Sequence, residues 1–191
     1  MKKPEFIELT EQIRKKYKNK FIFVSMDLIY NKFFCLRNKL EGYVNFLREN
    51  GKKCEEENVF IQYIYFDEEF IYSKGNKEKL IMIRKEIQNM VTRIKNEFSA
   101  DVIEVIEKKI NYTERLAILS VSNCLVRANL RLGYPLDILD FLNLKLLKGI
   151  ENEEFCYIFS EASASLISIS GQINISPFDV IFNLIKLIIT K

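Results

Sequence analysis

The sequence predicts an α/β domain with a doubly wound, mainly parallel six-stranded sheet and helices on both faces. Short β-branched and aromatic runs alternate with longer segments of 3.6-residue periodicity, from the first strand to the end of the 191 residues. The apolar share of 48% is enough to build a core of that size. No linker or internal repeat interrupts the alternation, so residues 1–191 are predicted to form one Rossmann-like domain.

The first half of the chain predicts three strands joined by two long helices. The strands are expected at Phe21–Val24, Val59–Tyr65 and Val102–Ile106. Apolar residues at helical spacing predict a helix from Phe33 to Leu47, which Asn50-Gly51 should end. The same spacing predicts a second helix from Leu80 to Phe98.

The second half predicts three more strands and their helices. A short helix is expected at Thr113–Ser122, and a longer one from Pro135 to about Leu147. The remaining strands are expected at Cys124–Val126, Phe155–Phe159 and Ile173–Ile175, before a terminal helix that Pro177 opens with Ser176 as its cap. The expected strand order is 3-2-1-4-5-6, in which ligands bind beyond the carboxyl ends of the strands.

Composition excludes several kinds of chemistry. The chain has no histidine, which excludes a Ser-His-Asp triad, a His-activated thiol and an imidazole-ligated zinc. No G-x-G-x-x-G follows the first strand, and no P-loop sequence is present. The four cysteines are too far apart for a zinc motif or a disulfide framework, so we expect reduced thiols, no metal and a cytoplasmic protein; they are Cys35, Cys54, Cys124 and Cys156.

Two classes of partner are not expected. The first residues lack the apolar segment of a signal peptide, and no uncharged apolar run is long enough to span a membrane. The basic stretch Arg14–Lys20 could contact nucleic acid, but acidic clusters elsewhere bring the net charge to only +3. We interpret that stretch as a solvated helix end, and expect neither a membrane nor a nucleic acid as partner.

Two loops that follow predicted strands are candidates for binding. The segment Val24–Lys32 places a lysine at a helix start, where an anion is favoured. From spacing alone, the simpler interpretation is that Lys32 is a solvated surface lysine. The segment Arg127–Asp140 carries a glycine turn and a run of amides that could cradle a phosphate. Asp140 could accept hydrogen bonds from ribose hydroxyls, or be a solvent-facing aspartate.

Four segments resemble the motifs of one enzyme family, and they do so in the right order. They are Phe21–Lys32, Met82–Phe98, Leu119–Phe141 and Phe155–Pro177. The chain resembles the C-terminal, nucleotide-sugar-binding domain of trehalose-6-phosphate synthases, glycosyltransferases built from two Rossmann domains. Val24-Ser25-Met26-Asp27 is similar to the D-D-M-D variant of the plant regulatory class, and Ser160-Glu161-Ala162 matches the family's S-E-F segment.

The resemblance implies a donor site and a reaction. UDP-glucose would be the donor, and glucose would pass to glucose 6-phosphate with retention of configuration, without a metal or other cofactor. The residues that the resemblance implies at the donor diphosphate are Lys32, Gly133, Tyr134, Leu136 and Asp137, and Asp140 corresponds to the ribose-binding glutamate. The acceptor-binding N-terminal domain of the family is not in this sequence, so we expect it, or other domains of a longer chain, as a partner.

Several positions depart from the family pattern. Met26 or its neighbour stands in place of the arginine that neutralises the diphosphate, Leu132 in place of an aspartate, and Pro135 has no N–H to donate. We therefore predict no catalytic residue in this chain and no transfer by the chain alone. One alternative is a non-catalytic regulatory or scaffold homologue (a pseudoenzyme) that has lost donor binding. Another is an unrelated flavodoxin-like nucleotide or flavin binder.

The predicted helices near the end of the chain have further consequences. The helix from Leu136 to Leu147 and the terminal helix are apolar on nearly all sides. Apolar helix surface beyond what the sheet can cover suits burial against another domain or a second copy of the chain. We therefore expect some tendency to self-association.

Overall fold

The structure is a computed structural model, and it describes residues 3–28, 33–65, 76–98, 101–109, 111–127, 136–147 and 156–159. Helices and strands alternate through these residues. In chain order the elements are α1 (Lys3–Lys16), β1 (Phe21–Leu28), α2 (Phe33–Glu57), β2 (Asn58–Tyr65), α3 (Asn76–Glu97), β3 (Ile103–Glu107), α4 (Tyr112–Val121), β4 (Cys124–Arg127), α5 (Leu136–Leu147) and β5 (Cys156–Phe159).

The strands form one parallel sheet with the order β3-β2-β1-β4-β5. Each neighbouring pair is parallel, and β1 is the central strand, with β2 on one side and β4 on the other. This order agrees with the first five strands of the predicted order 3-2-1-4-5-6. The described part of the sheet has five strands, which match the first five of the six predicted. The predicted strand at Ile173–Ile175 and the terminal helix after Pro177 lie outside the described residues.

Helices cover both faces of the sheet, as a doubly wound fold requires. Alternate residues of a strand point to opposite faces, so Phe23 packs against α2 and α3, whereas Val24 packs on the side of α1, α4 and α5. Helix α2 buries Leu36, Leu40 and Leu47, whose spacing places them on one face of the helix. Helices α4 and α5 cover the opposite face of the sheet with Ile118, Leu119, Ile138 and Phe141.

Strand β1 is longer than the sequence predicts. We expected it to end at Val24, but it continues to Leu28 and stays in register with β2 over all eight residues, from Phe21↔Asn58 to Leu28↔Tyr65. The polar residues Ser25 and Asp27 suggested a loop, yet both are buried in the strand. The extension is possible because Lys39 and Gln62 bind the Asp27 carboxylate, and Lys39 also binds the Ser25 hydroxyl.

Helix α2 is interrupted at the glycine that the sequence singles out. Gly51 has φ 74° and ψ −170°, which are not helical values, and the chain then resumes a helical path to Glu57. The predicted stop at Asn50-Gly51 is therefore a kink, followed by a short second helical segment.

Candidate functional site

The candidate site lies at the carboxyl edge of the sheet, between β1 and β4. The strand order reverses there, because β2 and β3 lie on one side of β1 and β4 and β5 on the other. Helices α2, α4 and α5 each follow the carboxyl end of a strand. Their first turns therefore bring unpaired N–H groups, and partial positive charge, to this edge. Ligands of doubly wound folds bind in this crevice.

Asp140 is fixed at this edge by two residues of α4. One of its carboxylate oxygens, Oδ2, forms an ion pair with the Arg115 guanidinium. The other, Oδ1, accepts a hydrogen bond of 3.3 Å from the Tyr112 hydroxyl. The side chain of Asp140 is only 18% exposed, so it is not the freely solvated aspartate of the alternative interpretation. A carboxylate has about four lone-pair directions, which leaves acceptor capacity for a further donor.

Arg115 and Tyr112 were missed by sequence reasoning. The Arg115 guanidinium lies 5.0 Å from the centre of the Tyr112 ring, a cation–π distance that orients both side chains. Arg115 Nε is buried and has no hydrogen-bond partner among the described residues. The sequence does signal the start of α4, because Asn111 Oδ1 accepts a 2.7 Å hydrogen bond from the Glu114 amide as an N-cap. It carries no signal for the contact with α5.

The residues predicted at the diphosphate are described only in part. Leu136 and Asp137 are the first two residues of α5, so their amides belong to the helix start that has no intrahelical acceptors. Lys32, Gly133 and Tyr134 lie outside the described residues. Leu136, Asp137 and Asp140 therefore lie on one helix, near its start. The role of Leu136 and Asp137 in binding the diphosphate stays a prediction.

Met26 does not occupy the place of a diphosphate ligand. Its side chain is 6% exposed and packs with Val24 on the α1, α4 and α5 face of the sheet. A thioether in this position supplies no positive charge. The other two departures from the family pattern, Leu132 and Pro135, lie outside the described residues.

A buried polar cluster joins β1, β2 and α2 just below the same edge, and sequence reasoning missed it as well. It consists of Ser25, Asp27, Lys39 and Gln62, and we call it the β1–α2 cluster. The Lys39 ammonium pairs with Asp27 Oδ2 and donates a 2.7 Å hydrogen bond to Ser25 Oγ. Asp27 Oδ2 also accepts from Gln62 Nε2 at 2.9 Å and from Ser25 Oγ at 3.1 Å. The side chains of Lys39 and Asp27 are 2% and 8% exposed.

Tyr63 lies on β2 near the carboxyl edge and is not a proton acceptor. Burial raises the pKa of its phenol above the usual value, and the charges of Glu114 and Glu104 act in the same direction. The phenol is therefore neutral at neutral pH. The Tyr63 side chain packs with Met26 in the apolar core on the α1, α4 and α5 face of the sheet.

A second concave surface lies between α3 and β3, at one edge of the sheet. It has a volume of about 460 Å³, and a hydrogen bond of 2.7 Å from Arg84 Nε to Glu107 Oε1 lies at its wall. Its apolar lining comes from Ile64, Ile87, Val91 and Val105. The cavity lies two strands away from the reversal of strand order and does not include Asp140.

The described ranges contain neither a cluster of metal ligands nor a helix that could span a membrane. No group of three or more His, Cys, Asp or Glu side chains there could hold a metal ion. Among the helices in those ranges, none combines the length and the apolar character that crossing a membrane requires.

Comparison with solved structures shows the same fold in a set of larger proteins. An α,α-trehalose-phosphate synthase (UDP-forming) from Burkholderia xenovorans, in complex with glucose-6-phosphate, superposes with a TM-score of 0.67 at 16% identity, over 93% of this chain and 39% of that chain. The trehalose-6-phosphate protein from E. coli bound with UDP-2-fluoro glucose gives a TM-score of 0.68 at 13% identity, over 98% of this chain and 42% of that chain. At these identities the likeness concerns the fold.

Sequence comparison gives the family. A putative α,α-trehalose-phosphate synthase [UDP-forming] 100 kDa subunit of Schizosaccharomyces pombe (strain 972 / ATCC 24843) is 29% identical over 147 residues, which are 74% of this chain and 15% of the relative. The chain thus spans a small part of that relative and about two fifths of the solved chains. The pattern that describes glycosyltransferase family 20 matches residues 1–182. With nearly its whole length matched, and with the parallel sheet of the solved synthases, the chain belongs to glycosyltransferase family 20.

Proposed function

We propose that this chain is the donor-side domain of a cytoplasmic trehalose-6-phosphate-synthase-like glycosyltransferase, and that it binds a UDP-sugar at the carboxyl edge between β1 and β4. The observation that carries this proposal is Asp140, a carboxylate near the start of α5 that Arg115 and Tyr112 orient. A fixed, partly covered acceptor beside a helix start suits a ribose hydroxyl next to a phosphate. The relative bound with UDP-2-fluoro glucose supports the class of ligand.

The proposed site would hold the donor without a metal. Lys32 and the amides at Gly133, Tyr134, Leu136 and Asp137 would face the diphosphate, and Asp140 would accept hydrogen bonds from the ribose. Charge-assisted hydrogen bonds contribute roughly 1.5–3 kcal/mol each, so three of them would account for about micromolar affinity, which corresponds to about 8 kcal/mol.

Transfer itself is proposed for a longer protein. In that protein glucose would pass from UDP-glucose to glucose 6-phosphate with retention of configuration, in trehalose biosynthesis. The acceptor would bind to an N-terminal domain, since this chain matches only about two fifths of the solved synthases. The isolated chain is expected to bind the donor and to be inactive in transfer.

A second candidate function is a non-catalytic regulatory or scaffold homologue that no longer binds a donor. The buried position of Met26 favours it, because the side chain at that point of β1 is neutral and faces the core. Without the arginine of the family pattern, the negative charge that develops on the leaving diphosphate would be less stabilised, and this loss matters most in the transition state.

The test is thermal unfolding of the full chain with and without millimolar UDP or UDP-glucose. Ligand at 100 times its dissociation constant adds about 2.7 kcal/mol of stability, which for this length raises Tm by about 5–10 °C. Lys32→Ala and Asp140→Asn should each abolish most of that ligand-induced shift. Each shift is measured against the unliganded Tm of the same variant, because Asp140 also takes part in an ion pair.

Matched controls are available at the opposite end of the sheet. Lys53 and Glu57 form an exposed ion pair in the last turns of α2, before β2 begins. Lys53→Ala and Glu57→Gln should leave the ligand-induced shift unchanged. A wild-type chain whose Tm does not respond to UDP or UDP-glucose would overturn the donor-binding proposal and leave the scaffold function.

A further inference from the structure

We propose that the buried Asp27–Lys39 ion pair is a positioning element of the donor site, which fixes the first turns of α2 against the carboxyl end of β1. Asp27 is the penultimate residue of β1, and Lys39 lies in the second turn of α2. The pair therefore spans the connection of residues 29–32, which by sequence contains Lys32. The inference deepens the proposed donor function and rests on it.

The β1–α2 cluster joins three elements at one point. Lys39 Nζ reaches both Ser25 and Asp27 on β1. Gln62 on β2 donates to Asp27 Oδ2 at 2.9 Å, to the Tyr63 carbonyl at 2.9 Å and to the Ser25 carbonyl at 3.3 Å. Both acceptors of the ammonium lie on β1, and Gln62 of β2 binds the same carboxylate oxygen of Asp27, so the placement of α2 is tied to the end of β1 and, through it, to β2.

The surroundings penalise any other placement. Lys39 is followed by Leu40, and the residues of α2 on either side that face the sheet, Leu36 and Tyr43, are buried in an apolar cluster. A shift of α2 by one turn would bring the ammonium against apolar side chains, away from Asp27, and an unpaired buried charge is strongly unfavourable.

Stability alone does not explain the pair. Taking two charges out of water costs about as much as their attraction returns, and apolar replacement of a buried ion pair is often neutral or stabilising. Its directional hydrogen bonds instead specify the geometry between β1 and α2. Binding sites need such supporting contacts, because a displacement of about 1 Å is enough to weaken them.

The test separates positioning from stability with the double variant Asp27→Leu/Lys39→Met, which replaces the pair by apolar side chains. Its Tm should stay within a few degrees of the wild type. Amide hydrogen exchange, followed by mass spectrometry, should accelerate about tenfold or more in peptides covering the end of β1 and the first two turns of α2. Calorimetry with UDP should show an affinity about tenfold or more below that of the wild type.

The matched control is a second ion pair between α2 and another element. Arg48 donates to Glu97 on α3 at 2.6 and 2.9 Å, and both side chains are partly exposed. The double variant Arg48→Met/Glu97→Gln should change neither the exchange of the β1–α2 peptides nor the affinity for UDP.

The outcomes are distinguishable. Exchange and UDP affinity equal to those of the wild type in Asp27→Leu/Lys39→Met would overturn the inference and leave the pair a purely structural feature. A wild-type chain that does not bind UDP would overturn the proposed function, whereas the exchange experiment would still decide whether the pair fixes α2. If the double variant does not fold, the uncharged change Gln62→Leu should accelerate the same exchange about threefold or more, and unchanged exchange there would contradict the inference.

Discussion

At the residue scale, Arg115 is the contact that decides where the Asp140 carboxylate lies. Both side chains are partly buried, at 29% and 18% exposure, so their attraction is less screened than that of a surface pair. Arg115→Met keeps the aliphatic stem and removes the charge. It is expected to lower the free energy of unfolding by about 1–2 kcal/mol in urea titrations.

The interaction free energy between Arg115 and Asp140 can be measured separately from the stability of either single variant. A double-mutant cycle of Arg115→Met and Asp140→Asn should give an interaction free energy of about 1 kcal/mol. Tyr112→Phe, which removes only the 3.3 Å hydrogen bond of an exposed tyrosine, should cost less than Arg115→Met. Additive effects of the Arg115 and Asp140 changes would show that the ion pair is not formed in solution.

Cys54 is expected to be an unreactive thiol. Burial raises its pKa, and the nearby carboxylates of Glu57 and Glu55 raise it further. A raised pKa lowers the thiolate fraction at a given pH, and the side chain is 8% exposed, so both effects slow alkylation. At pH 8 its reaction with iodoacetamide, followed by peptide mass spectrometry, should be about tenfold or more slower in the folded chain than in urea. Equal rates would contradict the burial of this residue.

At the element scale, two glycines of α2 should respond to alanine in opposite directions. Gly51 has φ 74° and ψ −170°, a conformation that is almost confined to glycine. A Cβ there would meet no atom within 4 Å, so the cost of Gly51→Ala is backbone strain alone. The expected loss in the free energy of unfolding is about 1–3 kcal/mol by urea denaturation.

Gly42 is the internal control for that prediction. It is exposed in the regular part of α2, and a Cβ at this position also meets no atom within 4 Å. Gly42→Ala should therefore stabilise the chain by about 0.5–1 kcal/mol through helix propensity. A loss of stability in both variants would argue against the kink at Gly51.

The elements also show how far the sequence alone leads. Strands β2 to β5 lie within one or two residues of their predicted limits, because each is rich in apolar, β-branched or aromatic residues. The prediction for β1 was four residues too short, because Asp27 looks like a loop residue until Lys39 and Gln62 are placed beside it. Those partners come from a helix and from another strand, so no local pattern reveals them.

The candidate site was predictable to a similar extent. The reversal of strand order places the site between β1 and β4, and this follows from chain topology alone. The position of Asp140 at that edge was predicted from its distance to the helix start. Its contacts with Arg115 and Tyr112 depend on how α4 packs against α5, which the sequence does not show.

At the scale of the whole molecule, stability is expected to fall at alkaline pH. Burial raises the pKa of Tyr17, Tyr43 and Tyr63, and for Tyr17 the hydrogen bond to Glu104 adds to the increase. The unfolded chain releases these protons near pH 10 and the folded chain does not, so their contribution is complete below pH 10 and is lost as the pH rises above it.

Absorbance at 295 nm, which reports tyrosinate, provides the measurement. Tyr17, Tyr43 and Tyr63 should not ionise in the folded chain at about pH 10–11, and their absorbance should appear together with the loss of far-UV circular dichroism. Ionisation of all tyrosines near pH 10 with an intact fold would contradict the burial of these phenols.

The central position of β1 has a consequence for synthesis on the ribosome. Strands β1 to β3 and helices α2 and α3 can pair as soon as residue 107 has emerged, but they complete only one face of the sheet. The opposite face, with Val24, Val59 and Ile61, gains Ile118 and Phe141 only when α4 and α5 have been made. At about 5–20 residues per second this interval lasts a few seconds. During that time the nascent chain presents an apolar sheet surface to chaperones.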